Sequence, residues 1–160
     1  MFNPCRDASV REGIKFFEIS DVVVKDSSSD VGARNKRTMA AVYCGLSAGF
    51  EVIHGLADRV FQLLGVRLHP EVHEVALAGS TLASNIDKNF TGFQYYIAED
   101  ECPKYLQGRA AKIMLQRVHC GKPSEAFGIG DMGVVHPEVI ENFDLGRPVS
   151  ALEINLEHFV

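Results

Sequence analysis

The sequence predicts an α+β fold, an antiparallel β-sheet with flanking helices. Three observations carry this. Runs rich in β-branched and aromatic residues recur along the chain, one long stretch has helical spacing, and the element order lacks the regular strand–helix alternation of a parallel sheet. A chain of 160 residues suits one domain with its own core. Its 46% apolar and 23% charged residues exclude disordered and collagen-like classes.

Residues 1–13 are polar and unpatterned. Residues 14–24 (IKFFEISDVVV) are dense in β-branched and aromatic residues and predict the first strand. After the turn formers of 25–32 (KDSSSDVG), residues 37–45 (RTMAAVYCG) predict a second strand, so the pair reads as a hairpin. Its connection, 25–36, is too long for a tight primed turn, and its tip is expected to be mobile or to carry a partner contact. Ser47 is placed to cap a helix in which Phe50, Ile53, Leu56, Ala57, Val60, Phe61 and Leu64 recur at three- and four-residue spacing until Gly65 stops it. No period holds over 66–89. Residues 92–99 (GFQYYIAE) and 109–118 (RAAKIMLQRV) predict a second strand pair around the turn-rich ECPKYLQG. Residues 125–135 (EAFGIGDMGVV) read as a glycine-bearing strand, Pro137 opens a short helix to about residue 143, and 149–156 (VSALEINL) closes the chain as a strand.

Sixteen basic against 21 acidic residues give a net charge of −5, which disfavours the phosphate neutralisation behind non-specific nucleic-acid affinity. No stretch approaches the roughly 18 consecutive apolar residues of a membrane helix, and the N-terminus lacks an apolar signal region. A cytoplasmic chain with no membrane partner is expected. Cys5, Cys44, Cys102 and Cys120 are scattered without a CxxC pair and read as reduced thiols.

Several constellations have a chemical and a bland reading. Gly128, Gly130 and Gly133 have the GxGxxG spacing of a dinucleotide site, with Glu153 about 20 residues on as a ribose-binding acid. The spacing matters only where the glycines open a helix, and Val134-Val135-His136-Pro137 delays one, so glycines in a crossing strand are preferred. His119, Cys120, Cys102 and His136 are soft ligand types without the close-spaced pairs of a zinc site. Cys44 with His54 is one possible nucleophilic pairing, weighed against buried thiols and surface imidazoles. Glu99-Asp100-Glu101 reads as a solvated loop before a cation site. Two basic groups, Arg34 with Lys36 and Arg37, and Lys104 with Arg109 and Lys112, are each a candidate anion site or a solvated face. No catalytic, cofactor-binding or metal-binding residue is assigned.

The blocks KFFEISDVVVKD, ARNKRTMAAVYCG, GFEVIHGLADRVFQLLGV, QGRAAKIML and GIGDMGVVHPEVIENFDLGRPVSALEINLEHFV resemble, in order, the C-terminal part of the phenylalanyl-tRNA synthetase β subunit family. The resemblance covers 14–160, with 130–143 and 150–156 its most specific stretches, and points to the archaeal or eukaryotic cytosolic type. It implies a catalytic-like module with a class II aminoacyl-tRNA synthetase-like core. It also implies that the module is inactive alone, because amino-acid activation in this family belongs to the α subunit. The residues agree with that: FFEISDVVV stands where a motif 2 strand would be, Arg11 lies in a poorly matching stretch, and GIGDMG has no following motif 3 arginine to hold ATP phosphates.

The resemblance therefore implies a structural module that packs against the catalytic α subunit in an α2β2 assembly, which charges tRNA(Phe). ATP and magnesium would be used by the holoenzyme and no cofactor by this segment. The departures are a longer stretch at 68–89 and a poorly matched 1–13, and the chain is expected to be a cut from a longer subunit. Apolar residues left exposed are expected to mark the side facing the α subunit, and the 50–64 helix is one candidate for contributing to it. The rival readings are an independent nucleotide-binding or small-molecule domain using 128–133, and a tRNA-binding module using Arg34, Lys36 and Arg37.

Overall fold

The computed structural model describes residues 13–69 and 89–159, so most of 1–13 and 68–89 lies outside the described residues. The elements are β1 (Ile14–Lys25), β2 (Ala33–Cys44), α1 (Phe50–Leu63), β3 (Arg67–Leu68), β4 (Gly92–Glu99), β5 (Tyr105–His119), β6 (Lys122–Pro123), β7 (Phe127–Val135), α2 (Pro137–Asn142) and β8 (Val149–Asn155). They form one sheet in the order β1-β2-β8-β7-β5-β4-β3, with β6 paired to β5. Neighbours are antiparallel except β3 and β4, which run parallel.

This corrects the expected fold class. Strands hold 52% of the described residues and helices 16%, so the domain is β-rich and its sheet is mixed. It is neither an α+β sheet with flanking helices nor the class II core that the resemblance implies. The reason lies in the apolar pattern: one stretch alone sustains a helical period long enough to cover a sheet, and α2 has six residues, none of them buried.

The helix α1 covers one face. Ile53, Ala57 and Phe61, spaced four apart, are buried against Met39, Ile113, Leu115, Leu152 and Ile154 from three strands, β2, β5 and β8. Burying a side chain the size of Ile53 or Phe61 contributes about 1.5–3 kcal/mol. The helix begins at Gly49, whose φ of 59° is left-handed, and no side chain caps it, so Ser47 does not take the expected role. Its end follows the prediction. Gly65 adopts φ 72°, its N–H bonds the Gln62 carbonyl at 3.2 Å, and the Val66 N–H bonds Phe61 at 2.9 Å, which seats Val66 beside Phe61 in the core.

The hairpin is longer and its tip tighter than the sequence suggests. The polar residues of 33–36 pair with β1 as far as Ala33 opposite Lys25, leaving a loop of 26–32. In that loop the Asp26 carboxylate accepts bonds from the Ser28 N–H at 2.9 Å and hydroxyl at 2.6 Å. The strand β5 starts inside the predicted turn, because an irregularity between Tyr105 and Ala110 lets the chain pair with β7 on both sides of Gly108, at φ 70°.

Phe61→Ala is expected to cost about 3–5 kcal/mol in urea unfolding, whereas Gly55→Ala, on an exposed helix position with free space around it, is expected to stabilise by about 0.5–1 kcal/mol.

Candidate functional site

Alternation along the strands turns Ala40, Val42, Lys112, Asp131, Ala151 and Glu153 to the face opposite α1. The register aligns Lys112 with Asp131, Asp131 with Glu153, and Glu153 with Ala40, a row across β5, β7, β8 and β2. Above this row stand Lys104, in the turn before β5, and Tyr105, the first residue of that strand. The Lys104 ammonium lies 2.7 Å from Asp131 Oδ1 and 3.5 Å from Glu153 Oε2. The buried Tyr105 donates its hydroxyl to Asp131 Oδ1 at 2.6 Å.

Burial, then the bond to Asp131, push the Tyr105 phenol far above its ordinary range, so it stays a protonated donor. Burial acts to lower the Lys104 ammonium, but Asp131 and Glu153 together hold it above its ordinary value, so it stays charged. The cluster is closed on itself. Its carboxylate Asp131 already accepts two donors, and Lys104 is a committed cation rather than a free base. A second clamp, Tyr95 to Asp58 at 2.8 Å, ties β4 to α1, and burial followed by the Asp58 bond raises that phenol too.

The GxGxxG glycines sit inside β7, not in a turn that opens a helix, and α2 begins only at Pro137. Their lack of side chains serves packing. A Cβ on Gly130 would run into the Glu153 carbonyl oxygen of β8, and one on Gly133 would come within 2.7 Å of the Arg109 carbonyl and 2.6 Å of the Tyr105 ring. The nucleotide-binding reading therefore loses the strand-turn-helix context it requires, and the crossing-strand reading describes what is seen.

The remaining candidates disperse. His54 stacks on Phe50 at 6.2 Å and faces Asp58 at 3.6 Å along its own helix, while Cys44 is buried at the end of β2. Cys120, at φ 48°, and Gly121 form the two-residue turn between β5 and β6 beside His119. Cys102 and His136 do share a cleft of about 480 Å³ with Asp100, Glu101 and Glu138, but the His136 imidazole already caps α2 through the Glu138 N–H at 3.3 Å. Among the described residues no three histidine, cysteine or carboxylate side chains converge as a metal would require.

The basic groups also rearrange. Arg37 makes a two-pronged pair with Asp21, at 2.7 and 3.1 Å, and Arg34 lies 3.3 Å from Asp26. Lys36 stands one residue from Arg37 on the other face of β2, so the three charges form no single patch.

The sequence reading missed Asp131 and Tyr105, the first hidden within the glycine motif and the second within an apparent turn. It also gave no warning of how much of β1 is left bare. The strand β1 is the sheet's edge, unpaired on its outer side among the described residues. Phe16, Phe17, Ile19 and Val23 are 59%, 73%, 53% and 73% exposed. Such an apolar edge is an association surface by its nature. By contrast α1 spends its stripe on its own core. Ile53 is buried, Val60 packs against the core, and only the last turn, with Leu64 and the 72%-exposed Leu63, stays open.

Hydrogen bonding from Arg37 holds the Asp21 carboxyl below its ordinary value near 3.8. The pair's stabilisation is therefore complete above that value and lost as pH falls through the lower, folded one. In Arg37→Ala the Asp21 carboxyl is expected to titrate back near 3.8, read from carboxyl carbon shifts by NMR.

Residues 7–156 match the family model described as the phenylalanyl tRNA synthetase beta chain CLM domain. The chain is 42% identical over 144 residues to the cytoplasmic phenylalanine–tRNA ligase beta subunit of Arabidopsis thaliana, covering 90% of this chain and 21% of that protein. It is 43% identical to the beta subunit of Drosophila melanogaster over 148 residues, and 40% identical to that of Homo sapiens over 147, with 92% of this chain and 20% of each relative covered. The chain thus spans about a fifth of the length of the curated relatives it matches. On a match that takes in every element from β1 to β8, the chain belongs to the family of phenylalanyl-tRNA synthetase beta chain CLM domains.

Proposed function

We propose that this chain is a non-catalytic structural module of a phenylalanine–tRNA ligase, packing against the catalytic α subunit that charges tRNA(Phe) with phenylalanine at the expense of ATP. The observation that carries the reading is the bare β1 edge. Phe16, Phe17, Ile19, Val22 and Val23 are exposed on a strand whose outer backbone groups have no neighbour among the described residues. A surface of this kind suits a lasting, apolar subunit contact. The closed Lys104, Tyr105, Asp131 and Glu153 cluster supports the non-catalytic half of the reading, because its groups are held by one another. ATP and magnesium belong, in this reading, to the α subunit of a cytoplasmic α2β2 enzyme, and tRNA reaches this module through the holoenzyme. Among the described residues no helix is long and apolar enough to cross a membrane.

The test is co-expression of the whole β subunit, carrying Phe17→Asp and Ile19→Asp, with its α subunit. The expected result is loss of most α–β complex on size-exclusion chromatography. Aminoacylation should fall in proportion to the complex lost, while the complex that remains keeps an unchanged KM for phenylalanine. Because both side chains are exposed, the variant subunit should melt within about 0.5 kcal/mol of the wild type. Undiminished assembly would overturn the proposal.

A further inference from the structure

Two cations that the sequence places in separate groups, Lys36 of the hairpin and Lys112 of the later strand, line one cleft on the open face. The cleft has a volume of about 200 Å³, with Gly128, Ile129 and Gly130 as its floor and Asp131, Glu153 and Asn155 beside them. The missing side chain at Gly128 makes room for the lysine: the Lys112 Cε lies 2.6 Å from where a Cβ there would stand. Neither Lys36 nor Lys112 has an ion pair or side-chain hydrogen bond among the described residues. Both carboxylates, meanwhile, are engaged by Lys104, and Asp131 by Tyr105 as well. Both carboxylates of the cleft are thus committed, and Lys36 and Lys112 are its two unpartnered cations.

We propose that this cleft binds a small phosphoryl oxyanion, phosphate or pyrophosphate, between the Lys36 and Lys112 ammonium groups, with the Asn155 amide as a neutral donor. Lysine binds phosphoryl groups as a point charge, and two of them on opposite rims suit a ligand with oxygens on several sides. The volume lies below the ≈ 300–1,000 Å³ of pockets that enclose drug-sized ligands, which favours the bare oxyanion over a whole nucleotide. The site does not rest on the subunit-packing role.

The experiment is calorimetric titration of inorganic phosphate, pyrophosphate and acetate into the full 160-residue chain at low salt. Saturable binding is expected, tightest for pyrophosphate and weakest for acetate, weakening as sodium chloride is raised. Lys36→Ala and Lys112→Ala should each weaken it about tenfold, and Lys15→Ala, on the distant β1 edge, should leave it unchanged. Lys36→Gln and Lys112→Gln keep most of each stem and repeat the test if an alanine variant melts differently. No saturable binding of either phosphoryl anion below about 10 mM would overturn the proposal. So would equal affinity in the doubly substituted chain, or acetate binding as tightly as pyrophosphate.

Discussion

A single helix has to cover a sheet wider than itself. The fourteen residues of α1 span about 21 Å, whereas seven strands side by side span about 29 Å. The helix lies where it buries most, over β2, β8, β7, β5 and β4, and the core follows it: Met39, Leu152, Met132, Ile113 and Tyr95 are all nearly inaccessible. The outermost strand β1 receives no such cover. Its apolar residues are satisfied neither by α1 nor by any other described element, and this shortfall is what gives the domain an adhesive edge.

The face away from α1 solves the opposite problem. Only Val139 of the short α2 lines a cavity with Ala40, Val42 and Ala151 there, and the rest is held by charge and by backbone proximity. Lys104 and Tyr105 reach over the sheet to Asp131, and Glu153 extends the pairing to β8. Gly130 and Gly133 let β7 pass close to the Glu153 carbonyl and beneath the Tyr105 ring. A glycine motif that looks like a nucleotide fingerprint is, in this setting, the means by which three strands and a polar strut approach one another. The same arrangement occupies the groups a reaction would need, and it leaves Lys36 and Lys112 as the open charges.

Much of the element list was readable from local pattern. Residues 92–99 and the Pro137 helix start coincide with the structure, and Gly65 ends α1 as its position indicates. What pattern could not give was whatever depends on the sheet order. The polar stretch ARNK has no strand signature, yet it pairs because Val22 and Val23 lie opposite it. β3 and β6 have two residues each, below any periodicity. The fold class was misjudged because the helices implied by resemblance have no counterpart among the described residues beyond α1 and the short α2. As for the site, Lys36 and Lys112 were both singled out, but their meeting across β8 and β7 follows only from the order of the strands. The bareness of Phe17 was equally invisible, since the same apolar residues would be buried in a strand lying under α1.

The account stands or falls on what covers β1. The most direct measurement is hydrogen–deuterium exchange, read by mass spectrometry on the whole β subunit alone and in complex with its α subunit. The account predicts that the outward-facing half of the amides across residues 14–25, those not bonded to β2, exchange quickly in the free subunit and slow markedly in the complex, while those of β5 and β8 are protected in both. Protection of all the 14–25 amides in the free β subunit, or no change on complex formation, would contradict it.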